Sequence, residues 1–210
     1  MNSHKLRLRA VFGAALLALC LMAVGAVGAA GAQAAKVKVT GGTTTITPSA
    51  ATTQFLTNNG IAVAPIAPAT LSNGVATLPI SGGRIDPATL RGFIVHRGGL
   101  KFSKGTKSLA LRHFVITSTK RGAFLDAATP VARCHAFRAR RGNRVRICVI
   151  RQEGVRVARL SNVVRNSANS VTADLLLSQR AAGFINKVAG HKVVSAGANL
   201  GSAKIVVTTA

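Results

Sequence analysis

Between Cys134 and Cys148 the chain reads CHAFRARRGNRVRIC, with Arg138, Arg140, Arg141, Arg144 and Arg146 standing between two cysteines and no acid among them. Planar guanidiniums at this density can grip carboxylate, phosphate or sulfate through paired, charge-assisted hydrogen bonds. Two cysteines in an oxidising compartment can also close a disulfide. A β-hairpin turning at Gly142-Asn143 would serve both purposes. Side-chain alternation then puts Cys134, Ala136, Arg138 and Arg140 on one face with Arg144, Arg146 and Cys148. The other face carries His135, Phe137, Ala139, Val145, Ile147 and Val149. The apolar side can dock on a core while the opposite side presents the arginines. A disulfide closing this loop removes chain entropy worth roughly 3 kcal/mol, against a repulsion of up to about 1 kcal/mol where Arg138 faces Arg144. The expected anion site is Arg138, Arg140, Arg144 and Arg146; the competing reading is a solvated face that keeps the protein soluble.

Other chemistry is sparse. Excluding the first 34 residues, the acids are Asp86, Asp126, Glu153 and Asp174, far apart and opening no acid/base motif. Asp86 precedes Pro87 and reads as a turn residue. No nucleophile elbow, zinc-protease helix, phosphate loop or Cys/His zinc spacing occurs, and no metal site is expected. Cys134 and His135 point to opposite strand faces. The expectation is a protein that is not an enzyme. His113, His135 and His191 read as hydrogen-bonded structural residues, and His96 is set apart by the motif it stands in.

The amino terminus sets the compartment. Lys5, Arg7 and Arg9 precede the apolar run AVFGAALLALCLMAVGAVGAA and then GAQAA, the pattern of a secretory signal peptide with cleavage after Ala34. Residues 1–34 are read as that signal and 35–210 as the domain; an uncleaved anchor is the alternative. Without the signal, 28 basic residues fall to 25 against four acids, a formal charge of +21. Such a chain attracts polyanions. The expected partners are an anionic cell-envelope polymer or a small anionic ligand, with association at an anionic membrane surface also within reach. Specific nucleic-acid binding is not expected, because Tyr and Trp are absent and none of the usual motifs is present.

The elements that would position these residues are mostly short strands: KVKVT, TTTIT, IAVAPI, VATLPI, GFIVH, LALRHFVITS, RVRICVI, VRVARL, VTADLLL and KIVVTT. Turn residues punctuate them at SNG, SGG, DPAT and RGG. This predicts a mainly β, antiparallel, sandwich-like single domain. Two segments read as helices: PSAATTQFLTNNG, with Pro48 at the first helical position, and SQRAAGFINKVAG, with Ser178 as N-cap and Gly190 as stop. Each lies between strands, and Phe55-Leu56 in one matches Phe184-Ile185 in the other, as if one strand-helix-strand unit were used twice.

The stretch LPISGGRIDPATLRGFIVHRGGLKFS, followed by LALRHFVI, resembles the HtaA-type domain of actinobacterial surface haem-uptake proteins; GGTTTITPSAATTQFLTNNGIAVAPIAPATL is similar to the amino-terminal part of the broader group carrying it. The resemblance spans Lys36 to Ala210. It implies an exported β-rich domain with two short helices that binds haem without catalysis, a tyrosine ligating the iron and a histidine supporting that tyrosine. His96, in VHRGGL, matches the histidine's motif. The tyrosine has no counterpart, which would leave ligation to His96 or another histidine. No cofactor is fixed by the residues themselves; haem is the one the resemblance implies. The leading expectation is thus a secreted binding module using the arginine hairpin, with haem carriage and a purely structural envelope protein as alternatives.

Overall fold

The computed structural model describes residues 35–138 and 144–210, with side chains outside 132–149. Residues 1–34, read above as a signal, Gly142-Asn143, read as a turn, and Arg140 lie outside the described residues, as do the side chains of Cys134, Arg138, Arg144, Arg146 and Cys148. The elements run β1 (Val37–Pro48), α1 (Ala50–Asn58), β2 (Ala62–Ile66), β3 (Thr70–Ser72), β4 (Val75–Ile85), β5 (Gly92–His96), β6 (Gly99–Lys104), β7 (Lys107–Thr119), β8 (Gly122–Arg138), β9 (Arg144–Ser167), β10 (Ser170–Leu177), α2 (Gln179–Ala189) and β11 (Asn199–Thr209).

All described strand pairings are antiparallel, and they follow the order β2-β6-β7-β5-β4-β1-β11-β10-β9-β8. A further pairing of β7 with β8 returns the ladder to itself. The mainly β, two-helix domain expected from the strand pattern is present, with its sandwich-like faces joined into one eight-stranded barrel. Strands β2 and β6 flank it, and β3 pairs with the start of β4.

Inward positions alternate along the strands and fill the barrel with Leu78, Ile94, Leu111, Phe114, Leu125, Leu160, Leu175 and Ile205, all buried. An eight-strand barrel is wide enough for side chains to fill or for one small ligand to occupy.

Several strands come out longer than their composition suggested. KVKVT and TTTIT are one strand, β1, which runs through Gly41-Gly42 with a shift in register between Val39 and Gly41. SGG at 81–83 does not end a strand either, since β4 continues through it with a shift between Ile80 and Gly82. A β-bulge absorbs the extra residue in each place and adds the bend a barrel wall needs.

Strands β8 and β9 outrun their neighbours. Beyond the Ala128↔Arg112 and Ala158↔Leu177 pairs, they pair only with each other among the described residues. From Pro130↔Gln152 to Arg138↔Arg144 they form a two-stranded arm that at ordinary strand rise extends about 30 Å.

The helices end where the sequence said, with one change. Ser178 caps α2, its Oγ accepting from Ala181 N at 3.1 Å, and Gly190 closes it in the left-handed conformation at φ 91°. At α1 the cap is Ser49, whose Oγ accepts from Thr52 N at 3.1 Å, while Pro48 is the last residue of β1. Replacing Ser178 with Ala leaves an orphan N–H and removes a bond that Ser178 Oγ donates to the Arg156 carbonyl. We expect a loss of about 1 kcal/mol in urea unfolding.

Candidate functional site

Two places in the fold could carry function: the arm, and the barrel interior beneath the two helices. His96 belongs to the interior. It ends β5, and after it the chain bends at Arg97-Gly98 before continuing as β6. Strands β5 and β6 lie in line along the same side of β7, which pairs its second half with β5 and its first with β6. The glycines of HRGG serve that bend. Gly98 has φ 77°, and a Cβ there would come within 2.5 Å of the Ile66 carbonyl oxygen; at Gly99 it would meet the Leu111 carbonyl oxygen at 2.1 Å. Only a residue without a side chain fits at either position.

The imidazole of His96 is 1 % exposed and both its nitrogens are engaged. Nδ1 lies 2.9 Å from the Phe114 carbonyl, and Nε2 lies 2.7 Å from Thr44 Oγ1. A carbonyl can only accept, so Nδ1 carries the proton and Nε2 accepts from the Thr44 hydroxyl. Burial holds this imidazole below its ordinary pKa of 6.5, with the Phe114 carbonyl acting in the opposite sense. The ring is therefore neutral and fully satisfied. Thr44 is itself 1 % exposed.

An apolar cavity of about 380 Å³, lined by neither His96 nor Thr44, lies between the barrel wall and both helices. Phe55 and Leu56 of α1 and Phe184 and Ile185 of α2 all line it, so the matched pairs in the two helical segments converge on one space. The lining includes no His, Cys, Tyr, Met, Asp, Glu, Lys or Arg. The sequence reading missed this cavity; its only advance signal was the repeated Phe-aliphatic pair.

These residues do not fit iron ligation in the interior. There is no tyrosine in the chain, His96 has no free ring nitrogen, and the cavity wall supplies no ligand. His113 and His191 are exposed. No group of three or more potential metal ligands occurs among the described residues.

The acids are occupied. Asp86 accepts from the Ala88 and Thr89 amides and from the Thr89 hydroxyl at 2.7 Å, as its turn position implied, and that hydroxyl is the main reason its carboxyl is held below the usual value. Asp126 pairs with Arg156 at 3.2 Å, whose guanidinium also lies 3.9 Å over the Phe124 ring. Glu153 meets Arg180 at 3.1 Å, and Asp174 accepts from Asn162 at 2.7 Å.

In the arm, the backbone register is the one the hairpin spacing implied: Cys134 stands opposite Cys148, Ala136 opposite Arg146 and Arg138 opposite Arg144. Ile150, near the base of the arm, is 71 % exposed. The arm and the His96 pair thus belong to different parts of the chain: one overhangs the barrel, the other is sealed within it.

A search of solved structures finds the C-terminal domain of HtaA from Corynebacterium glutamicum at a TM-score of 0.58 and 14% identity, covering 83% of this chain and 99% of that domain. The chain has the HtaA-type fold. The haem-binding protein HtaB of the same organism aligns at a TM-score of 0.49 and 12% identity, over 84% of this chain and 96% of that one. No family model and no curated protein matches the sequence. In this chain the VHRGGL bend places His96 against Thr44 in the interior.

The buried pair makes a testable contribution to stability. Thr44→Val keeps the shape but strips Nε2 of its partner, and should cost about 1–3 kcal/mol in urea unfolding. The unfolded chain takes up a proton at His96 near its ordinary pKa of 6.5, whereas the folded chain resists until lower pH. The stability due to this group is therefore complete above that value and lost as pH falls below it. A His96→Gln variant should lack that acid-side decline, and unfolding measured across pH 4 to 8 checks it.

Proposed function

We propose that this chain is an exported, non-enzymatic binding module that engages an anionic envelope polymer or ligand through the β8–β9 arm. The observation that carries the proposal is the arm itself, a paired ribbon standing off the barrel with Arg138 opposite Arg144 in its ladder. Arg138, Arg140, Arg144 and Arg146 are its anion-binding residues, and a formal charge of +21 on residues 35–210 steers polyanions toward it. A two-stranded ribbon is marginal in water on its own. The opposed pair Cys134 and Cys148 would staple it as a disulfide, worth roughly 3 kcal/mol. Export rests on the basic and apolar pattern of the first 34 residues. The absence of catalysis is supported by the acids, each held in a turn, an ion pair or an amide contact.

Haem binding is the second reading, favoured by the HtaA-type fold and by an apolar cavity beneath the helices. It would have to proceed without a tyrosine. A purely structural envelope role is the third, and it predicts neither behaviour.

Binding of residues 35–210 to polyphosphate should weaken more than tenfold as salt rises from about 50 to 200 mM. The Arg138→Ser/Arg144→Ser pair should weaken it further, while Lys36→Ser/Lys38→Ser around the start of β1 has little effect. Affinity that survives high salt, or equal losses from both double variants, would remove the arm from the proposal. Thiol titration of unfolded, unreduced protein should find no free thiol. In a haemin titration we expect no saturable, salt-resistant Soret band; a band lost in His96→Ala would establish the haem reading instead.

A further inference from the structure

The proposed anion site leaves the apolar cavity without a role. We infer that this cavity is a second binding site, which takes the aliphatic chain of a long-chain amphiphile. The inference does not depend on the arm.

Protein interiors are packed to crystal density, with few voids larger than a water molecule. A space of about 380 Å³ is instead of the size that holds ligands. Its walls are aliphatic and aromatic, and the polar residues on it, Thr52, Thr53, Thr57 and Asn199, stand at one side. Three of these side chains already have partners, and Thr53 is exposed. Thr52 Oγ1 donates to the Asn199 carbonyl at 3.2 Å, Thr57 Oγ1 donates to the Thr53 carbonyl at 3.1 Å, and Asn199 Oδ1 accepts from Gly201 N at 2.8 Å. The buried, unpartnered side-chain atom among the described residues, Ser170 Oγ, is not on the wall. A ligand carrying deep hydrogen-bonding groups would leave them unpaired at a cost, whereas a polymethylene chain meets only its own kind. Apolar cavities of this type stay dry and accept apolar guests.

The two helices roof the cavity unequally. Helix α2 buries Ala181, Ala182, Val188 and Ala189, and Lys104 Nζ donates to its Ala189 carbonyl at 3.2 Å. Helix α1 buries no residue at all, although Phe55 and Leu56 face the cavity. Ser49 ties its first turn to β11, through its N–H to the Leu200 carbonyl at 3.0 Å and its hydroxyl to the Asn199 carbonyl at 3.1 Å. Exposed Ala51, Thr53 and Thr57 of α1 reach the cavity lining as well, so its mouth lies along this helix. A chain enters by lifting α1 about its tethered first turn while α2 stays seated. The mouth is uncharged, which leaves the head group in solvent. The chain could then belong to a free fatty acid or to a membrane lipid.

The test is fluorescence titration of residues 35–210 with parinaric acid, a long-chain polyene fatty acid, at low and high salt. We expect a saturable, salt-insensitive rise that palmitate reverses and butyrate does not. Leu71→Trp fills the cavity from the half-buried edge strand β3, and Phe55→Asp puts charge on a helix with no buried residue. Each should weaken binding about tenfold or more, with the circular dichroism spectrum unchanged. Arg138→Ser/Arg144→Ser should leave it as it was, so failure of the arm proposal and failure of this one are separable. The inference is overturned by no rise up to the solubility limit, by equal binding in both cavity variants, by loss of binding at high salt, or by displacement with haemin but not palmitate. Uptake of a pyrene-labelled acyl chain from phosphatidylglycerol vesicles would support the inference and name membrane lipid as the source. Binding of the free acid alone would support it and name fatty acid.

Discussion

A strand buried at the wall of a barrel must have both flanks of its backbone paired, because an amide or carbonyl left open away from water costs as much as a lost hydrogen bond. In this chain that requirement falls hardest on β7. Its second half lies between β5 and β8, which closes the ring, and its first half pairs with β6. The chain can serve both halves only by bending sharply between β5 and β6. Glycines at 98 and 99 allow the neighbouring backbones to close in, and His96 turns inward to fill the core at the break. The motif that carried the resemblance in the sequence is therefore a device of closure. Its histidine holds Phe114 and Thr44 together across the interior, and the roof of helices rests on the wall that results.

Much of this could be read from local pattern. GFIVH at 92–96 is β5 from end to end, Ser178 and Gly190 bound α2, and the register of the hairpin followed from Gly142-Asn143 and the two cysteines. What failed to show was continuity. Gly41-Gly42 and SGG at 81–83 carry turn chemistry, yet they sit inside β1 and β4 as bulges, because neighbouring strands on both sides hold the backbone extended. The first half of β8, GAFLDAATPVA, escaped notice since Asp126 and Pro130 disfavour a strand locally; Asp126 is accommodated by Arg156, and Pro130 lies in the arm beyond the last pair with β7. The cavity could not be read at all. Its walls come from segments as distant as Ile46 and Leu200, and only the recurrence of Phe55-Leu56 as Phe184-Ile185 hinted that two helices shared a target.

The cavity and the arm's charge are kept apart in this molecule. The cavity wall has no ionisable side chain, while the arm concentrates arginines of one sign. A ribbon with two open flanks invites edge-to-edge pairing with another copy, and like charge along it discourages that encounter. The same arginines can therefore hold the arm free of its own kind and open to anions.

The place of β1 sets the order in which the barrel can assemble. It lies between β4 and β11, with Val37 opposite Ile85 on one flank and Thr45 opposite Lys204 on the other. The first strand of the fold thus depends on the last, so the slow step should be a loop closure spanning nearly the whole domain. Until Asn199–Thr209 arrives, the outer flank of β1 is bare, and neither the anchor of α1 at Leu200 nor the roof it supports can form.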